Sequence, residues 1–193
     1  APTPTPSSTM EPVPATAPGP AAATPPAQAK PSEGAEEANA PELTPAARIN
    51  AALRKGDKTG ALKIADEFLA THPRDAQVRF LRAVVLGDMN RQDEVIAALE
   101  SLTQDFPELP EPYNNLAVIR ANQGQLASAE HYLQLAIAAR PNYVTAYENL
   151  GDLYVSMAAA SYEKASHLAP ESSALKTKLS LARELGAKLR TAR

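Results

Sequence analysis

Residues 110–143 read PEPYNNLAVIRANQGQLASAEHYLQLAIAARPNY, and this stretch decides how the chain folds. Leu116 and Ile119 recur at helical spacing before Gly124, and Leu126, Ala129, Leu133 and Ala136 recur after it. Two amphipathic helices are therefore expected, broken at Gly124 and closed by Pro141. Proline lacks an N–H and drives the residue before it out of the helical region, so a helix ends there. Ala117, Ala129 and Ala136 are small enough to let paired helices approach closely.

Working outward, Pro73, Pro107 and Pro141 are evenly spaced, the same interval occurring twice in succession. In that register Gly56, Asn90 and Gly124 coincide, as do Ala61, Val95 and Ala129. The period predicts helices near 45–54, 59–71, 76–88, 92–105, 111–122 and 126–139. Thr44 before Pro45 reads as an N-cap with proline at the first helical position. Asp75 and Asn142, each after a proline or its neighbour, are candidate caps for the helices that follow.

A helix pair repeating every ~34 residues and closed by proline resembles the tetratricopeptide repeat (TPR). The third copy carries the likeness in Tyr113, Leu116, Ala117, Gly124, Ala129, Ala136 and Pro141, with Arg120 standing where an aromatic is usual. The fourth opens with Tyr147, Leu150, Gly151 and Tyr154, the full W/Y-x2-L-G-x2-Y pattern. The stretch 108–118, ELPEPYNNLAV, resembles proteobacterial envelope TPR proteins. The resemblance covers 42–170 and implies an all-α solenoid of antiparallel helix pairs, with repeats at 42–75, 76–109, 110–143 and 144–172.

The fourth repeat is short. Its closing proline is due at 175 and falls at Pro170. Tyr162, Ala165 and Pro170 keep the second-helix spacing, so the shortfall belongs to the turn between the helices. From Thr145 to Leu168 there is one Gly and no Pro. Leu150, Leu153, Tyr154, Met157, Ser161, Tyr162, Ala165 and Leu168 continue as one stripe. One fused helix of about 24 residues, about 36 Å long, is expected. Its second half cannot fold back on its first, so Tyr162, Ala165 and Leu168 must bury against something else. One candidate is a final helix at 173–190, with Leu175, Leu179, Ala182, Leu185 and Leu189 on one face. The other is a second copy of the chain.

Residues 1–41 differ entirely, with 11 Pro, 11 Ala and eight Ser or Thr, and only Met10 and Val13 as large apolar side chains. Such a segment cannot bury enough surface to offset the entropy of ordering it, so a disordered linker is expected. The chain begins with Ala1, as a mature exported protein would after removal of its signal peptide and as a trimmed chain would too. A periplasmic or otherwise exported setting is the expectation, with the cytoplasm as the alternative.

Zero Cys removes disulfides, thiolate metal sites and cysteine nucleophiles. A net charge of −3 offers no general attraction for nucleic acid, and no apolar run of about 18 residues is present to insert in a membrane. His72, His131 and His167 are far apart and outside metal-ligand spacing. Gly56 and Gly60 flank DKT without the GxxxxGK of a phosphate loop. No catalytic residue, metal site or cofactor is expected, and the chain reads as a non-enzyme.

The resemblance to TPR proteins implies that the first helices of successive repeats line a concave, peptide-binding groove. Carried over by register, its residues are Phe80, Val84, Asp88, Asn114, Asn115, Val118, Asn122, Glu148, Asn149 and Asp152. Asn115 and Asn149 share one register, and an amide there can donate to and accept from a peptide backbone. The common NL(G/A) pattern of the repeat accounts for the same residues without a ligand. The Lys and Arg of chaperone-binding relatives are unmatched at Leu53, Arg54, Gly87, Asp88 and Asn122, which argues against a carboxylate clamp. Residues 84–152 hold ten acids and three bases, so a neutral or basic peptide is the expected partner. The last helix carries Lys176, Lys178, Arg183, Lys188, Arg190 and Arg193 against Glu184. It reads as a solvating cap, or as a homodimer contact together with the fused helix. Gly186 is a candidate early stop for it.

Overall fold

A computed structural model describes residues 44–191, so the linker expected at 1–41 lies outside the described residues. The described residues form eight helices: α1 (Pro45–Arg54), α2 (Lys58–Thr71), α3 (Ala76–Asp88), α4 (Gln92–Asp105), α5 (Pro110–Asn122), α6 (Leu126–Ala139), α7 (Val144–Leu168) and α8 (Ser173–Thr191). The fold is all-α, of the TPR solenoid type.

Two kinds of turn alternate. Within the first three repeats the helices are joined by a short turn whose middle member is left-handed: Gly56 (φ 77°), Asn90 (φ 58°) and Gly124 (φ 74°). Each turn returns the same pair of amides to the preceding helix, for example Gly124 N–H to the Ala121 carbonyl and Gln125 N–H to the Arg120 carbonyl, both at 2.9 Å. Gly takes this conformation without steric cost, and Asn is among the few other residues that tolerate it. Between repeats the connection has proline in second place: 72–75, 106–109, 140–143 and 169–172. In each, the N–H of the last residue bonds the carbonyl of the first, at 3.0–3.1 Å.

The caps follow the sequence in part. Thr44 Oγ1 accepts from Ala47 N–H at 3.2 Å, and Asp75 Oδ1 accepts from Val78 N–H at 2.8 Å. Asn142 is not a cap; α7 starts behind Tyr143, with no side-chain cap bond. Asp57 caps α2 through Gly60 N–H at 2.8 Å, and moves its start to Lys58.

The chain divides into two compact units between Val95 and Ile96, a point inside α4. The first has a core of Ala46, Ile49, Ala61, Ala65, Val78, Leu81 and Val85. The second buries Ala117, Ala129, Leu133, Ala136, Tyr143, Ala146 and Leu153. Alanine is the commonest residue in both sets because closely paired helices leave little room beyond Cβ.

α7 is one uninterrupted helix of 25 residues, as the missing turn required. With no Gly or Asn between Gly151 and the end of the helix, the backbone hydrogen-bond ladder continues through Met157. α8 lies against α7, yet it contains no buried residue. It half-buries Tyr162 and Ala165, whereas Leu168, expected in the contact, is 88% exposed. Gly186 does not stop α8, which continues to Thr191; the glycine faces Val155 instead.

Candidate functional site

The residues expected in the groove lie on α3, in the first unit, and on α5 and α7, in the second. On α3, in the first unit, Phe80 and Val84 are half-buried and Asp88 is exposed. α3 is tied to α2 by Arg82 Nε donating to Asp66 Oδ1 at 2.6 Å, and its C-terminal Asp88 carbonyl accepts from Lys58 Nζ.

In the second unit α5 contacts α7 directly. α5 presents Asn115 and Val118 half-buried, and Asn122 exposed at its last position. α7 presents Glu148 exposed, with Asn149 and Asp152 half-buried. Asn149 Nδ2 donates to Asn114 Oδ1 at 2.8 Å. Asn114 itself is fully buried, so it lies beneath the surface where the register placed it and anchors the neighbouring amide from below. Its own Nδ2 is buried without a hydrogen-bond partner. A buried bond of this kind contributes about 0.5–1.5 kcal/mol, and an unpaired buried donor costs about 1–3 kcal/mol.

The α5–α7 face can therefore do two things chemically. Its amides can exchange hydrogen bonds with an extended main chain, and Glu148 and Asp152 can attract basic side chains. Asn115 and Asn149 share a register, whereas the bonded pair, Asn114 and Asn149, is offset from it by one residue. The Asn114–Asn115 doublet was the available signal, one amide pointing inward and one outward.

Arg120, the departure from an aromatic, makes a partly buried ion pair with Glu100 at 3.3 Å and bonds Gln123 Oε1 at 3.1 Å. A polar tie thus stands where an aromatic would pack. Tyr154 keeps the aromatic but is 47% exposed, and its hydroxyl donates to Glu130 Oε1 at 2.9 Å. That bond to a carboxylate holds the Tyr154 phenol above its ordinary value of 10.0. Tyr143 is also raised, first by burial and then by the nearby Glu111 carboxylate. Elsewhere, His72 stacks on Phe68 with ring centroids 4.3 Å apart, an arrangement that packs one helix. Among the described residues no three of His, Asp and Glu gather as a metal-binding group. No described helix is long and apolar enough to cross a membrane.

Comparison with known proteins agrees with the repeat reading. Residues 110–143 match the tetratricopeptide repeat family model, the same stretch quoted at the outset. A crystal structure of MamA is 26% identical, with a TM-score of 0.51 over 74% of this chain and 86% of that one. A second MamA structure is 25% identical, with a TM-score of 0.51 over 75% and 81%. A structure of Naa15/Naa10 bound to HypK-THB shares the fold at 15% identity, with a TM-score of 0.52 over 77% of this chain and 23% of that one. No curated protein matches the chain significantly in sequence.

Proposed function

We propose that this chain, a tetratricopeptide-repeat protein by its third repeat and its fold, is a non-catalytic scaffold that holds an extended protein segment across α5 and α7. The repeat fold serves protein–protein interaction in general; the finer assignment rests on one observation. Asn149 is pinned by the fully buried Asn114 at 2.8 Å, beside the half-buried Asn115, which gives a pre-positioned amide on an open helical face. Pre-positioning reduces the entropy lost on binding. Glu148 and Asp152 favour a neutral or basic segment. On α3, Phe80, Val84 and Asp88 offer an apolar and acidic surface of the same character. The proposed setting is the bacterial envelope, on the strength of the Ala/Pro-rich stretch 1–41, and fractionation of the native protein tests it.

Replacing Asn115 and Asn149 together by Ala tests the groove. Two hydrogen bonds at about 0.5–1.5 kcal/mol each correspond to a loss of roughly 5- to 150-fold in affinity. The measurement is calorimetric titration with a partner segment captured from envelope extract, with helical content monitored alongside. Unchanged affinity would remove these amides from the binding face.

A further inference from the structure

α7 carries both halves of a repeat on one rod. Tyr147, Gly151 and Tyr154 align with Tyr113, Ala117 and Arg120 of α5, and Ala158, Tyr162 and Ala165 align with Ala129, Leu133 and Ala136 of α6. In the third repeat the two sets close on each other: Ala117 is 1% exposed and Ala129 is 0%. The equivalent pair of the first repeat, Ile49 and Ala61, is also fully buried. In the fourth repeat the receiving face is present and open. Tyr147 and Tyr154 are 50% and 47% exposed, and a Cβ added at the exposed Gly151 would meet nothing within 4 Å. The helix that should cover this face lies farther along the same rod and cannot turn back. α8 leaves the face open; it reaches α7 through Gly186 near Val155, Lys178 over the Tyr162 ring at 5.9 Å, and Arg183 to Glu163 at 2.6 Å.

We propose that a second copy of this chain supplies the missing helix. Two α7 helices lie antiparallel, the first half of each against the second half of the other. The register of the α5–α6 hairpin sets Gly151 opposite the partner's Ala158 and Tyr147 opposite the partner's Tyr162. That places the two-fold axis between Tyr154 and Val155. Symmetry forms both contacts at once, each copy giving and receiving a half-repeat, as in a domain swap. Residues 144–165 overlap, a seam of about 33 Å at 1.5 Å per residue.

Three further features favour this occupant over an unrelated helix. Gly151, Ala158 and Ala165 put small side chains along the seam, as the Ala residues of α5 and α6 do in their own contact. Leu181 and Leu185 of α8 are 60% and 47% exposed and border a shallow groove with Tyr162, so two α7–α8 hairpins can complete a four-helix assembly. The first half of α7 has Glu148 and Asp152 and no base, whereas α8 has five bases against Glu184, and opposite charge steers the hairpins together.

The test uses the full chain in size-exclusion chromatography with light scattering from about 1 to 100 µM. Wild type should show twice the monomer mass at the upper end. Gly151→Arg should run as monomer there, its dissociation constant raised at least tenfold, with unchanged helical content because the site is open in the single chain. Gly151→Ala should remain dimeric, since Ala117 fits the equivalent contact. Gly151→Cys with Ala158→Cys adds a covalent readout in a chain that has no cysteine. Within one helix these positions are about 10 Å apart, too far for a disulfide, so oxidation should give a covalent dimer. A wild type monomeric throughout, a dimer that survives Gly151→Arg, or a double-cysteine variant that stays monomeric after oxidation would each overturn the proposal.

Discussion

Gly124 and Gly151 are both exposed, and both have open space where a Cβ would go, yet replacing each by Ala should move stability in opposite directions. Gly151 lies inside the continuous helix α7 with ordinary helical dihedrals. Ala there lowers the entropy lost on folding and introduces no clash, which is worth about 0.5–1 kcal/mol in favour of the folded state. Gly124 sits at φ 74°, where a Cβ approaches its own carbonyl, so the same substitution should cost about 1–2 kcal/mol. For a chain of this size the two variants should separate by roughly 3–12 °C in melting temperature, at about 2–4 °C per kcal/mol. The assay is thermal unfolding followed by circular dichroism below about 1 µM protein, with urea titration to confirm an unchanged m value. Equal shifts at the two sites would refute the claim that α7 is unbroken where the other repeats turn. A destabilised Gly151→Ala would do so most directly, because it would mean that Gly151 serves a turn or a close contact.

Two further outcomes follow from the same geometry. Asp75→Ala removes the side chain that accepts from Val78 N–H at 2.8 Å, and should cost about 1 kcal/mol by urea denaturation, with Asp75→Asn largely retaining stability. Tyr143 is raised above 10.0 in the folded chain by burial and by Glu111. Its contribution is therefore fully present below the unfolded value of 10.0 and is lost as pH climbs through the higher folded value, because the unfolded phenol gives up its proton first. Tyr143→Phe should flatten the fall in melting temperature above that pH, and an unaltered alkaline profile would place the fall elsewhere.

The turns explain why so much of the fold could be read in advance. Gly56, Asn90 and Gly124 recur at the repeat period because a left-handed residue is required at one point of each helical hairpin, and few residue types can occupy it. Prolines recur for a similarly local reason. Local backbone requirements of this kind are written one residue at a time. The candidate binding face is legible only as a register: it puts Phe80, Val84, Asn115 and Asn149 on α3, α5 and α7, but does not distinguish Asn114 from Asn115. One residue of offset between neighbouring helices decides which amide is buried, and that offset depends on how side chains interlock rather than on either helix alone. Asn142 illustrates the same limit, because whether a polar residue caps a helix depends on where the turn before it closes.

By itself the sequence determined the helical hairpins, their period and the absence of a turn in α7, since each follows from which residues can leave or continue a helix. Only the tertiary structure decided what that absent turn does. The face that Ala117 closes in the third repeat stands open in the fourth at Tyr147, Gly151 and Tyr154. Burial depends on the presence of a partner surface, and the fused backbone carries the natural partner out of reach.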